Sequence, residues 1–231
     1  TALSAGDLNA PVCTDCHGAH NVVKPAAPRS SVSQACGKCH TGVYRDYAES
    51  VHGRALDGEE NPDVPVCTTC HGVHSIPIAN SASFRLASTG LCARCHEDRQ
   101  LMTKYGLSPN VAKTYFEDFH GRTVGFYQRQ EVAVQPTEPV CVDCHGIHSI
   151  KPARDPSSPI VPANLQATCG KCHQDASPNF PDAWLGHYEP SPSKAPLVYY
   201  VRLYYWVLIP VMIGGLAMHI GLEHEHSRLT L

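Results

Sequence analysis

The chain has 231 residues, with 12 Cys, 15 His, 19 Pro and 17 Gly, and a formal charge of −3. Apolar residues make up 42% but aromatics only 7%, poor material for a large side-chain core at this length. The charge provides no basic footprint for nucleic acid, and a charged fraction of 17% argues against wholesale disorder.

Read in chain order, the sequence falls into an internal repeat. Residues 1–62 open with APVCTDCHGAH, which carries Cys13, Cys16, His17 and His20. A Pro-rich connector, NVVKPAAP, leads to CGKCH, with Cys36, Cys39 and His40. The amphipathic run VYRDYAESVHG then predicts a helix ending at His52, with Gly53 just past it. Residues 63–137 repeat the order. VPVCTTCHGVH carries Cys67, Cys70, His71 and His74, the connector is SIPIANSA, and CARCH carries Cys92, Cys95 and His96. After an insertion, Ser108 and Pro109 predict an N-cap and first position for a helix that ends at His120, with Gly121 following. Residues 138–192 carry EPVCVDCHGIH (Cys141, Cys144, His145, His148), the connector SIKPARDPSSP, a second CGKCH (Cys169, Cys172, His173) and His187 in WLGHY. There Gly186 precedes the His, a departure from the other two units. Short helices after the motifs, Pro/Gly turns and little or no sheet are expected.

Every Cys thus belongs to a CxxCH motif, the c-type haem attachment pattern. Two thiols three residues apart reach two vinyl groups of one porphyrin, and the adjacent His becomes the proximal iron ligand. Zinc ribbons and CxxC disulfides are the competing readings, but neither requires a His after each pair. Beyond the proximal His17, His40, His71, His96, His145 and His173, six more histidines are distal candidates: His20, His52, His74, His120, His148 and His187. Only Met102 among the methionines lies outside the C-terminal end, so six bis-His haems is the economical expectation. In CxxCHGxH, three residues of chain span about 10 Å at most, too little to pass around a porphyrin rim. His20, His74 and His148 are therefore expected to ligate the iron of a different haem. The fold class expected is mostly irregular and α, three dihaem repeats with haem as the core.

Residues 193–231 differ in kind. LYYWVLIPVMIGGLAMHIGL, from Leu203 to Leu222, has 20 residues without a formally charged side chain, enough for one transmembrane helix in a lipid bilayer. Tyr199, Tyr200, Tyr204, Tyr205 and Trp206 form an aromatic belt, Arg202 can snorkel, Pro210 would bend the helix, and Gly214 with Gly215 would admit a neighbour. Haem c is added outside the cytoplasmic membrane, so the haem units are expected on the periplasmic side. Such export implies a signal removed from, or lying outside, this sequence. His219 lies inside the span, where an ionisable group is a functional hypothesis: a b-type haem ligand shared with a partner, a quinone-pocket residue, or a hydrogen bond to another helix. His224 and His226 sit among Glu223 and Glu225 and suit a solvated tail.

The string CVDCHGIHSIKPARDPSSPIVPANLQATCGKCH, together with ESVHGRAL and DFHGRTV, resembles the multihaem cytochrome c family with doubled CxxCH repeats over residues 10–192. LVYYVRLYYWVLIPVMIGGLAMHIGL is similar to the segment joining such domains to membrane cytochrome b modules. The resemblance implies an electron relay between an integral, quinone-reactive cytochrome b partner and a soluble periplasmic carrier. With one span, the cytochrome b is expected to be a separate subunit. The anchor is C-terminal, unlike the N-terminal anchor of the quinol dehydrogenases of nitrate and nitrite respiration. The competing classes are a multihaem reductase or oxidase of small nitrogen or sulfur compounds, which requires an open haem, and a free-standing anchored wire.

Overall fold

The computed structural model describes residues 6–7, 9–22, 27–130, 137–183 and 186–229, without the side chains of 183 and 225–229. The first five residues, connector residues 23–26, the close of the second segment at 131–136, the two residues at 184–185 and the His226 side chain lie outside the described residues. In chain order the helices are α1 (Cys13–His17), α2 (Ser30–Gly37), α3 (Thr41–Ala48), α4 (Val51–Glu59), α5 (Cys67–His71), α6 (Ala82–His96), α7 (Arg99–Lys104), α8 (Val111–Glu117), α9 (Phe119–Gln130), α10 (Cys141–His145), α11 (Pro162–Gly170) and α12 (Pro196–Leu229). A 3-10 turn spans Phe180–Ala183. No strand occurs among the described residues. The chain divides into two compact units, Thr1–Trp184 and Leu185–Leu231.

The helices do not simply follow the CxxCH motifs, as the sequence led us to expect. First motifs form one helical turn by themselves in α1, α5 and α10, whereas second motifs lie at the C-terminal ends of α2, α6 and α11. The two helices expected to end at His52 and His120 are also corrected. The run breaks at Ser50 and restarts as α4, so His52 stands in a first turn, where the Ser50 hydroxyl accepts the Gly53 N–H at 3.1 Å. Likewise α8 begins at Val111 with Asn110 before it, not at Pro109, and ends ahead of Asp118. His120 is then the second residue of α9, and Asp118 accepts the Phe119 N–H at 2.6 Å. Ser and Asp compete for backbone donors in this way, so both residues stop one helix and cap the next. The glycines serve close approach and not a left-handed cap. A Cβ on Gly53 would lie 2.0 Å from the Tyr47 carbonyl oxygen, and one on Gly121 would lie 2.0 Å from that of Tyr115.

The first unit has a sparse apolar interior. Tyr47, Leu56 and Val66 form one buried cluster, with Val32 and Val64 packed against it. Val124, Val140 and Met102 are the other buried apolar side chains among the described residues. The insertion of the second segment supplies α7, whose end docks on the junction before the second Pro-Val-Cys. There Asp63 accepts from Lys104 at 2.6 Å and from the Tyr105 hydroxyl at 2.8 Å.

The second unit is dominated by α12, one helix long and apolar enough to cross a membrane. It starts seven residues ahead of the expected span and runs on through Pro210. Its apolar side chains, from Leu197 to Leu222, are largely exposed.

Candidate metal centres

Each first motif is built by its own sequence. The Val before the first Cys is extended, and its N–H is accepted by the side chain three residues on. The distances are 2.8 Å for Val12 to Asp15, 3.1 Å for Val66 to Thr69 and 2.6 Å for Val140 to Asp143. This satisfies a donor and holds the entry to the turn. Second motifs carry Lys38, Arg94 and Lys171 at the matching position, where a helix C-terminus favours a cation. Those cations also stitch the motifs of one segment together: Lys38 Nζ donates to the Asp15 carbonyl at 3.5 Å, and Arg94 Nη2 to that of Thr69 at 3.0 Å. After each first motif, Gly18, Gly72 and Gly146 take φ of 76°, 73° and 84°, a left-handed region that favours Gly. The chain thereby leaves the helix before the second His.

Among the described residues, histidines face one another across segment boundaries. His17 and His74 have ring centres 6.4 Å apart, His71 and His148 6.1 Å, His52 and His96 6.4 Å, and His120 and His173 6.3 Å. Two imidazoles each bonded at about 2 Å to one metal, with ring centres about 1 Å behind the ligating nitrogens, stand about 6 Å apart. The pattern is an exchange. The second His of a CxxCHGxH faces the first-motif His of the preceding segment, and the lone His faces the second-motif His of the following one. No described group of three or more His, Cys, Asp or Glu could hold a metal. Paired imidazoles without further donors suit an iron whose other four positions a porphyrin fills, and do not suit a zinc site needing four protein ligands. All twelve cysteines are free, so each CxxC is available for thioether bonds.

Burial pushes His52 down to about 4, with the His96 ring adding to the effect, and burial also lowers His71, His96 and His148. These imidazoles are therefore neutral at pH 7, the form that ligates metal. Phe84 stacks on His71 at 5.3 Å and 12°, and Phe180 lies 4.9 Å from His173, which steadies two rings.

The motifs form a row in chain order. The Cys36 and Cys67 thiols act on one another, as do those of Cys92 and Cys141, and each contact holds the second-named thiol of the pair low and the first high. Cys16 acts electrostatically on Cys36, Cys92 and Cys95 on Cys70, and Cys169 and Cys172 on Cys144. Consecutive motifs are thus neighbours from the first to the sixth.

The remaining site residues are placed as follows. His20 and His40 are exposed. His145 closes α10 and is half-buried, and His187 is a half-buried turn residue of the second unit. His219 and His224 lie on exposed parts of α12. Sequence reasoning missed the residues that fasten one segment to the next. Arg29 donates to the carbonyls of Asn61 and Val64 at 2.8 and 2.9 Å, and Arg85 to that of Glu138 at 2.8 Å and to the Asp143 carboxylate at 2.6 Å. The Tyr47 hydroxyl donates to the Pro65 carbonyl at 2.6 Å and the Tyr115 hydroxyl to that of Pro139 at 2.9 Å. Superposing the segments in sequence would have found them: each Arg is the seventh residue before the second CxxCH, and each Tyr the fifth before His-Gly.

A family model described as Cytochrome c3 matches residues 7–97, a stretch that contains the first four CxxCH motifs. No curated protein and no solved structure matches the chain. The family match supports a multihaem electron-transfer cytochrome with covalently bound haem c.

Proposed function

We propose that this chain is a hexahaem electron-transfer subunit, anchored to the cytoplasmic membrane by α12 and relaying electrons along a row of bis-His haems. The observation that carries the proposal is the unbroken row of six CxxCH motifs with imidazole pairs at metal-bridging distance. The six Cys pairs would hold the porphyrins as thioethers. The six adjacent histidines would be proximal ligands. His74, His148, His52 and His120 would be the distal ligands opposite His17, His71, His96 and His173. His20 and His187 are the remaining distal candidates, and among the described rings none faces His20.

Each haem, when bound, supplies a one-electron centre and a conjugated plane across which the electron spreads. The chain's own residues keep these centres close and fixed. His71 and His74 are three residues apart yet face different partners, which joins two centres through one short segment spanning about 10 Å at most. The Cys36–Cys67 and Cys92–Cys141 contacts abut the attachment edges of successive motifs. Where two imidazoles would hold one iron, no position on it is left for substrate, and His ligation in place of Met favours lower potentials.

The partners follow from the anchor. An integral quinone-reactive subunit, such as a cytochrome b, would pass electrons to or from the haem row, and a soluble periplasmic carrier would meet its other side. His219, inside the span, is the residue of α12 suited to a haem b or quinone contact with that subunit.

The test is a haemochrome count with reductive titration and turnover assays on the purified full chain. Six haem c per chain titrating as one-electron centres, with no sustained reduction of nitrite, hydroxylamine or sulfite by the reduced protein, is the expected result. Steady turnover of any of them replaces the relay by catalysis.

A further inference from the structure

The exchange between repeats has an open side. At both internal junctions the same atoms meet. The preceding repeat supplies an Arg to the carbonyl two residues before the first Cys's Val (Val64, Glu138), a Tyr to the Pro carbonyl next to it (Pro65, Pro139), and a lone His to the following second motif. Val66 and Val140, between that Pro and the Cys, are 7% and 1% exposed. The first repeat carries the same receiving surface, but no described residue covers it. Val12 is 44% exposed, and no described residue donates to the carbonyls of Ala10 or Pro11. His20, the counterpart of His74 and His148, is exposed, as is the second-motif His40, and neither faces another described ring.

Resting on the relay reading above, we propose that this face docks a further dihaem repeat of the same type. That repeat gives its lone His to the haem at His40, receives His20 as distal ligand for its own first haem, and latches an Arg and a Tyr onto Ala10 and Pro11. The haem row of this chain then continues beyond its first motif. Continuity with the internal junctions identifies the occupant: each receiving group has a counterpart already engaged at the next junction. A second copy of this chain does not fit the role. In its third repeat the Arg position is Pro162 and the Tyr position is Asp182, and the latches of its other two repeats are already occupied.

The experiment compares the holo 231-residue chain with an extended chain in which a copy of residues 63–137 is joined ahead of Ala10, both read by low-temperature EPR spin quantitation. In the 231-residue chain, one high-spin haem should disappear when Cys36 and Cys39 are replaced by Ser. His20→Ala should leave its spin count unchanged. In the extended chain, His20→Ala should add one high-spin haem, and His120→Ala in the added copy should add one as well. The proposal is overturned if the His40 haem is low-spin in a monomeric 231-residue chain. It is equally overturned if a dimer of that chain fills the site, or if neither substitution changes the extended chain. A haem count below six or turnover of a substrate would instead overturn the relay reading, which the spin state at His40 leaves unaffected.

Discussion

Two glycines set the position of the lone histidines. Gly53 and Gly121 follow His52 and His120, and each lets a helix start directly against the backbone of the tyrosine six residues earlier. A methyl group there meets a carbonyl oxygen, which no rotamer change can relieve. Gly53→Ala is therefore expected to cost about 3 kcal/mol or more, read as a lowered thermal midpoint of the holoprotein at the Soret band. It should also loosen His52 from the centre at His96. A gentler change at the same place is chemical. His52→Met would give that one centre a His/Met set, which raises the potential of a c-type haem. In a spectroelectrochemical titration one component should move upward, and removing the Cys92–Cys95 haem should remove that component.

Between residues and repeats stand the latches. Tyr47 and Tyr115 each lose one hydrogen bond on replacement by Phe, a change of about 1 kcal/mol per site, measurable by denaturant unfolding. Arg29 bridges two carbonyls with one planar fork, so Arg29→Lys keeps the charge but not the geometry and should weaken the junction nearly as much as Arg29→Ala. These elements mark how far the sequence could be read. The CxxCH motifs were legible because covalent chemistry demands fixed residues at fixed spacing. Chain length alone implied that His74 and His148 would turn away from their own motifs, and their rings lie opposite His17 and His71. The direction in which His52 leaves its helix was not. A run such as VYRDYAESVHG has helical periodicity throughout, and only the competition of Ser50 for the Gly53 N–H breaks it. Arg and Tyr latches escape a periodicity search because they act on backbone carbonyls in another repeat, and a carbonyl leaves no trace in sequence.

At the scale of the whole molecule, the chain combines a poorly filled helical unit with a long exposed apolar helix, and each implies something to cover it. For α12 the proposed cover is lipid. The full chain should remain with membranes through carbonate extraction, whereas a chain ended after Lys194 should be released with its haem content intact. Release of both forms alike would remove the anchor from the proposal. For the first unit the proposed cover is the set of porphyrins held between repeats, and the histidine exchange is the claim on which the row depends. Its most direct test is EPR of the oxidised His74→Ala holoprotein. The exchange predicts one new high-spin haem that vanishes when Cys13 and Cys16 are replaced by Ser and persists when Cys67 and Cys70 are replaced. A signal that instead follows Cys67 and Cys70, the motif beside His74 itself, would contradict it.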